Sequence, residues 1–527
     1  MQAQGRRAEI KQVITNKTWR PLHNKRDRTP SIHGIVLRCI MIMKEKYNID
    51  GSIDKIKGRL CTMGCDTDPE AYEVFAKTAP TMDNMTYMSL INYAVAARQQ
   101  IEVFDVTAAF VQSSLDIDKR HVVILPKEVI PYVLEIAPEY AQYLQPNGTI
   151  LVELHKSLYG LPEAGRVWYE FYAKILTNLG YERSDADRCC YKKQTEKSSM
   201  LVGIHVDDNI LVYNDASQWL RDELYVALEK NNIQYKHNIL TKTNPIQFLQ
   251  ITMELLPDGS IMLHQTPKMR KLFEEDALLN ALRDRTNPTP IVPATMPGGD
   301  KSCDQNKFLS YLMKLYHIAH KFRYDLLNAC SMLSCIKTPT QQDWFNLMHL
   351  YGYVKRTINY GLHINPNNIT NEIHISADSA FAVHNNDLHK SHTGYIIYYG
   401  SSPIHAKSKK QTMVFDSSSY AELIAMHTSI NPGLFVTSIF NFIGISKLLL
   451  VIHQDNTQSI RMAYDTTANN HKYMHIKHSY MQDLIQRQLI HIKYESGNDV
   501  VADILASRRH GAHFEQKREK LGIKPFN

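Results

Sequence analysis

The sequence predicts an α+β fold spread over several domains, and three observations carry that prediction. Its 527 residues exceed what one hydrophobic core ordinarily organises, so roughly two to four domains are expected. In residues 101–116 and 203–215, apolar stretches of strand character surround isolated carboxylates, a pattern of strands ending at a cleft. From residue 371 onward the pattern reads as three strands, a helix, a strand, helices, a strand and a helix, with an acid at four of the joints.

Composition bounds the class before any motif does. Hydrophobic residues make up 44% and charged residues 21% of the chain, which excludes global disorder. The net charge of +7 suits a polyanionic partner and suits plain solubility equally well. The eight cysteines include Cys61/Cys65 and the adjacent Cys189-Cys190 but no CxxC pair, which argues against a zinc ribbon or a thioredoxin-like motif. The first residues, MQAQGRR, carry no secretory pattern, so reduced thiols in an intracellular compartment are expected. The most apolar run, residues 434–452, is interrupted by Asn441 and Lys447 and predicts a helix followed by a buried strand rather than a membrane span. No internal repeat is evident. Softer joints are expected at 287–305 and 364–372, where proline and turn-forming residues gather.

The stretch GIHVDDNILVYND (203–215) sets Asp207 and Asp208 between two apolar runs. Two adjacent like charges persist cheaply when solvated or when bound to a cation, and the pair alone is compatible with both. Upstream, IEVFDVTAAF (101–110) predicts a strand ending near Asp105, a position equally suited to capping a helix. One carboxylate at a strand end and two on a hairpin turn can converge on two divalent cations about 4 Å apart. Magnesium favours carboxylates combined with substrate phosphates, which suits nucleotidyl transfer to a 3′-hydroxyl.

DVTAAF, KSLYGLPEAGRVWY (156–169) and HVDDNILV resemble three successive motifs of the reverse transcriptase of copia-class (pseudovirus) LTR retrotransposons. NIDGSIDKIKGRL (48–60) and NKTWRPL (16–22) resemble the family's fingers and domain-opening segments, and YHIAHKFRYDLLNACSMLS (316–334) is closest to the yeast Ty branch. The resemblance covers nearly the whole chain, in the expected order. It implies a right-hand polymerase of fingers, palm and thumb, with Asp105, Asp207 and Asp208 as the metal-binding triad. It implies that Phe110 is the aromatic that rejects a ribose 2′-hydroxyl by clash, with a core phenylalanine as the other reading. Arg59 matches the arginine that contacts the incoming triphosphate, a task suited to a permanently charged planar fork. An exposed salt-bridge arginine is its alternative. The chain departs from the family pattern at three points: Glu163 stands where a glutamine contacts the nucleotide sugar, His205 replaces the aromatic of YVDD, and Gln250 replaces the glycine of FLGIEI.

In the second region, NEIHISADSAFA, HTGYIIYYG and SPIHAKSKKQT read as strands, DSSSYAELIAMHTSI as a capped helix, LLLVIHQDN and IHIKYES as strands, and GNDVVADILAS as a helix. The order and the acids resemble an RNase H-like α/β domain with a mixed sheet. By that resemblance Asp378, Glu422, Asp455 and Asp503 form a two-metal nuclease site. Four acids in one cleft repel each other without cations, so a metal requirement follows. The loop before the last acid, Glu495-Ser496-Gly497-Asn498, lacks the histidine that cellular enzymes of this fold carry. His471, His475 and His478 have helical spacing but no cysteine pair nearby, and are read as surface or nucleic-acid-facing residues rather than metal ligands. Lys407, Lys409 and Lys410 suit the phosphates of a hybrid, or a solvated basic edge.

The expected organisation is fingers and palm over 1–250, thumb and connection over 251–370, and the RNase H-like domain over 371–527. The resemblance implies RNA-directed DNA synthesis and cleavage of the RNA strand of hybrids, with two Mg2+ ions (or Mn2+) per site. The implied partners are an RNA template, a DNA or RNA primer, RNA–DNA hybrid, dNTPs and other Gag-Pol products, with no membrane. It places the protein in cytoplasmic virus-like particles, with nuclear entry open. No protease DTG, zinc-binding HHCC or integrase core is found, so a processed polyprotein product or a truncated genomic copy is expected. The alternative is a decayed Pol remnant that binds nucleic acid with little or no polymerase activity, which Glu163, His205 and Gln250 favour.

Overall fold

The computed structural model describes residues 2–28, 36–47, 53–64, 78–116, 120–282, 289–291, 301–384, 387–465 and 472–526. The chain divides into two compact units, 1–82 with 102–238, and 83–101 with 239–527. The segments expected as thumb/connection and as RNase H-like domain therefore fall in one unit, which also recruits residues 83–101. Most of the proline-rich 287–305 joint lies outside the described residues.

Unit one is built on two sheets. The first orders its strands Trp19–Leu22, Ile150–Leu154, Val122–Leu125, Leu37–Tyr47 and Ile53–Thr62. Its core gathers Trp19, Leu60, Val123, Val152, Leu154 and Leu158, all buried. The second sheet runs Tyr235–Ile239, Gln100–Val106, Asp208–Tyr213, Ser199–His205, Cys190–Gln194 and Glu182–Arg183. Its centre is the hairpin of Ser199–His205 with Asp208–Tyr213, in which Asp208 pairs His205 and Ile210 pairs Gly203. The strand Gln100–Val106 is fastened from behind by Glu102. That carboxylate is fully buried and accepts from the Tyr225 hydroxyl at 2.6 Å and from His237 Nδ1 at 2.7 Å, with Tyr213 also donating. A buried carboxyl group is tolerated when its lone pairs are filled in this way.

Unit two contains an antiparallel sheet ordered Ile246–Phe248, Ile251–Leu255, Ile261–His264, Tyr360–Ile364 and Ile523–Pro525. The helices Gln305–Lys321 and Gln341–Arg356 follow from strong caps: Asp304 accepts from two backbone N–H groups, and Thr340 forms a capping box with Asp343. Between them, Arg323 of the KFRYDLL segment forks onto Asp325 at 2.9 and 2.7 Å, and the Tyr353 hydroxyl donates to the same carboxylate at 2.7 Å. All three side chains are buried, so this motif is a desolvated ion pair that pins the helices.

The last sheet is mixed, ordered Ser402–Lys410, Lys390–Tyr399, Glu372–His384, Leu449–Gln454 and Ile490–Tyr494. The first three strands are antiparallel and the last two join in parallel. Along the chain, three strands, a helix, a strand, helices, a strand and a helix follow one another as the sequence predicted. The helix Ser418–Ile443, capped by Ser417, lies on one face. A Cβ at Gly433 would meet Ile375 Cδ1 at 2.7 Å and Leu450 at 2.8 Å, so the absent side chain sets the closeness of helix and sheet. By length and composition this helix could cross a membrane, but 61% of its most apolar window is buried in the unit's core. On the other face, a Cβ at Gly394 would meet Ala506 N at 2.5 Å and Ala502 O at 2.7 Å. That contact seats the helix Asp503–Ala506 against the sheet.

Candidate active sites

The first site grows from a two-residue turn. Val206 and Asp207 join the paired strands, and Val206 sits at φ +62°. A β-branched residue there is strained, and the carbonyl of Val206 is held by Trp168 Nε1 at 2.7 Å. The carbonyl of Asp207 accepts from Val106 N at 2.9 Å, so the turn is tied to the end of the strand that carries Asp105. Asp105 is exposed, and Asp207 and Asp208 are half-buried.

Tyr159, from the KSLYGL segment, is the neighbour these groups share. Burial raises its phenol well above the ordinary range; Glu9, Asp207 and Asp105 push it further, and Arg59 opposes them. The Arg59 guanidinium lies 5.3 Å from the Tyr159 ring centroid, a cation–π distance. Phe110 meets the same ring edge-on, with centroids 5.3 Å apart. The structure thus brings Asp105, Asp207, Arg59 and Phe110 around one tyrosine, with Asp208 next in the chain at the head of its strand. Tyr159 and Glu9 were not singled out in the sequence, although Tyr159 lies inside a motif quoted for its neighbours.

Glu163, expected to touch the nucleotide, is 3% exposed, and its Oε1 is paired with His121 Nε2 at 3.0 Å. Its carboxylate is buried against a histidine rather than open to solvent. Gln250 occupies a turn between Ile246–Phe248 and Ile251–Leu255, with Leu249 at φ +49° and Gln250 at φ +67°. Its Oε1 accepts from Lys268 Nζ at 2.7 Å.

The second site lies on the mixed sheet. Asp378 and Glu422 are buried, at 8% and 6% exposure, and Asp455 is half-buried. Burial raises Asp378 well above the usual carboxylate range, and the charges of Glu422, Asp503 and Asp455 add to it. Glu422 is pushed up to about 7, by burial first and by Asp455 among its neighbours. Asp455 is raised by burial and by Asp503. All four acids therefore share one electrostatic site. Gln454 spans them: its amide donates to Glu422 Oε2 at 3.2 Å, and its Oε1 accepts from Asp455 N at 2.8 Å. A Cβ at Gly497 would meet Asp455 Oδ2 at 2.8 Å.

Asp503 behaves differently. Burial alone would raise it, but Arg509, His513 and Lys517 outweigh that and hold it below the usual range. Arg509 Nε reaches Oδ1 at 2.9 Å and Oδ2 at 2.8 Å, His513 Nε2 reaches Oδ2 at 3.1 Å, and Lys517 Nζ reaches Oδ2 at 3.2 Å. Sequence reasoning missed these cations: His513 and Lys517 lie one turn apart on the helix Gly511–Lys520, and Arg509 precedes it. The loop before Asp503 holds no histidine, and His513 comes from the chain after it.

Other assignments change. His478 is buried and its Nε2 pairs with the Met462 carbonyl, which corrects its reading as a surface residue. The side chains of His471 and His475 lie outside the described residues. Lys410 is paired with Asp387 rather than free for phosphate. Among the described residues, no three His, Cys, Asp or Glu side chains already stand close enough to hold a metal ion. Carboxylates that repel one another stand apart until a cation lies between them, and both donor sets, being carboxylate oxygen, fit a hard divalent ion.

Comparison with known proteins makes the class of the chain definite. The profile described as reverse transcriptase (RNA-dependent DNA polymerase) matches residues 16–281, half of the chain, and the chain belongs to that family. More particularly, its curated relatives are copia-type Pol polyproteins. It is 25% identical over 524 residues to the retrovirus-related Pol polyprotein from transposon RE1 of Arabidopsis thaliana, covering 98% of this chain and 33% of that protein. It is 23% identical over 527 residues to the transposon Ty1-ER2 Gag-Pol polyprotein of Saccharomyces cerevisiae, covering 94% of this chain and 27% of that one. The chain thus spans about a third or less of these relatives' lengths. Among solved structures, a foamy viral protease-reverse transcriptase in complex with double-stranded DNA matches 83% of this chain and 63% of its own, at 12% identity and a TM-score of 0.47. A compost-derived RNase H1 matches 26% of this chain and 93% of its own, at 13% identity and a TM-score of 0.21.

Proposed function

We propose that this chain is a retrotransposon reverse transcriptase and ribonuclease H, copying RNA into DNA and degrading the RNA strand of the resulting hybrid. The observation that carries the polymerase half is the gathering of Asp105, Asp207, Arg59 and Phe110 around Tyr159. In this reading Asp105, Asp207 and Asp208 hold two divalent cations, magnesium or manganese. Bound there, the cations supply the charge that activates a primer 3′-hydroxyl and stabilises the phosphorane.

The protein's own residues do the rest. Arg59, fixed against the Tyr159 ring, offers its fork to the triphosphate. Phe110, fixed against the same ring, stands where a 2′-hydroxyl would clash. In the second site Asp378, Glu422, Asp455 and Asp503 would hold two divalent cations, which would supply the charge that activates a water, and Gln454 keeps Glu422 and the backbone of Asp455 in register. The substrates are RNA template, DNA or RNA primer, dNTPs and RNA–DNA hybrid. The location is a cytoplasmic particle assembled with other Gag-Pol products, with later access to the nucleus.

A second reading, an inactive nucleic-acid-binding remnant, is favoured by one observation: Gln250 occupies a turn position with φ +67°, a conformation that suits the glycine of the family pattern. Primer extension on an RNA template with magnesium, run beside hybrid cleavage, separates the two. Extension by the wild-type chain and its loss in Asp208→Asn support the first. No extension by wild type, and no change on mutation, would leave the remnant.

A further inference from the structure

The four acids of the nuclease site are not equivalent. The charges of Asp378, Glu422 and Asp455 act on one another, and two cations reach them electrostatically, Lys517 on Asp455 and Arg509 on Asp378. Asp503 has both oxygens taken. Arg509 bridges them through Nε, its Nη2 lies 2.8 Å from Oδ1, and His513 and Lys517 share Oδ2. A carboxylate offers about four lone-pair directions, and these contacts occupy them. Lys517 is only 1% exposed and also donates to the carbonyls of Gly497 at 3.0 Å and Val500 at 2.6 Å. The ammonium is therefore a built part of the site.

Charge balance gives this arrangement a consequence. With metal bound and all four carboxylates ionised, the site would carry four negative charges, which two divalent cations would neutralise. The Arg509 guanidinium and Lys517 ammonium already supply two positive charges, leaving a deficit that one divalent cation fills. Arg509 also acts electrostatically on Asp378, so its charge reaches the other acids. Its side chain is 48% exposed, so the guanidinium edge turned away from Asp503 is open to a substrate.

We propose that Arg509 and Lys517 stand in for one of the two divalent cations expected here: the nuclease site takes a single divalent ion at Asp378, Glu422 and Asp455, and Asp503 presents the Arg509 guanidinium to the scissile phosphate. This rests on the nuclease reading. It changes the role of Asp503 from metal ligand to anchor of a resident cation, and makes Arg509 a phosphate-facing residue that no motif of the second region contains.

The test counts ions rather than turnover. The full chain carrying Asp105→Asn, Asp207→Asn and Asp208→Asn, which silences the other site, is mixed with an RNA–DNA hybrid and Mn2+. Samples are frozen within seconds and read by electron paramagnetic resonance beside a bound-metal assay. One Mn2+ per chain with an uncoupled signal is expected. Arg509→Gln, with its fold checked by circular dichroism, should admit a second, spin-coupled Mn2+ and tighten Mn2+ binding at least about tenfold, because a unit charge a few ångströms away is removed. Arg509→Lys, which keeps the charge, should stay at one ion. Two coupled ions before mutation would overturn the proposal, as would an unchanged count and affinity in folded Arg509→Gln. No bound Mn2+ while the hybrid still binds would remove the nuclease reading itself, and this proposal with it.

Discussion

The two candidate sites solve one problem, holding carboxylates together, in opposite ways. In unit one the acids sit at an exposed strand end and on a half-buried turn, and the strain is in the backbone, at Val206. In unit two the acids are buried within a sheet, and the strain is electrostatic, shown by Asp378 and Glu422 being pushed upward and Asp503 being clamped by cations. An exposed acid pair costs little without metal and can wait for a substrate that brings its own phosphates. A buried set is costly without metal, so part of the counter-charge is built into the chain. The contrast teaches that the same residue type, spaced by motif in both regions, is held by different physics, and each prediction below strains that contrast.

The largest effects should come from removing single acids, and they should not cross over. Asp208→Asn is expected to lower primer extension by about a thousandfold or more while leaving hybrid cleavage intact, and Asp455→Asn should do the reverse. Parallel assays on one preparation of each variant check this. Loss of both activities from either single change would show that the two sites do not work independently.

Next in size is the pH dependence of the metal-free protein. Glu422 is raised from 4.5 to about 7, so the folded state binds more protons than the unfolded state between those values. Stability should therefore be fully present below pH 4.5 and fall as the pH rises through about 7, by at most roughly 3 kcal/mol from this group. Thermal melts in chelator should show a second-unit transition that drops over this window, and millimolar Mg2+ should reverse the drop. Asp378→Asn should flatten the profile, whereas Asp105→Asn, at the exposed site, should leave it unchanged.

A packing change separates the sites more finely. Gly394→Ala puts a methyl where Ala506 N lies 2.5 Å away, and overpacking of this kind costs about 1–3 kcal/mol. It should displace the helix that carries Asp503, reducing hybrid cleavage at least about tenfold with extension unaffected. Cleavage at wild-type rate in a folded Gly394→Ala chain would show that the seat of Asp503 is not critical.

The fold of the second region was more legible than its chemistry. Strand alternation and the capping residues before the helix carried its elements, because period and capping are local signals, whereas the mixed pairing of its sheet came from the family resemblance. Placing Asp105 near a strand end and Asp207 on a hairpin turn also came from local rules. What local rules missed depends on which face of an element is packed. Glu102 looks like any strand residue, yet it is buried beneath two tyrosines and a histidine. His478 has surface-like helical spacing and is buried. Arg509 precedes the helix Gly511–Lys520 that carries His513 and Lys517, and only tertiary packing brings all three onto Asp503. Residues 83–101 join the second unit for the same reason: long-range packing leaves no periodic trace.

The smallest expected effect addresses the polymerase half at its least familiar residue. Gln250 sits at φ +67°, beside Leu249 at φ +49°, and a non-glycine residue in that region costs roughly 1 kcal/mol or more. Gln250→Gly should therefore stabilise the chain by about 1 kcal/mol, less the entropy glycine adds to the unfolded state and the loss of the Lys268 hydrogen bond. Denaturant melts that resolve a few tenths of a kcal/mol will show the sign. If primer extension rises along with stability, the strained turn is what slows the polymerase. If stability rises while extension does not change, the side chain at this turn is a tolerated departure, and the exposed acid site sets the rate by itself.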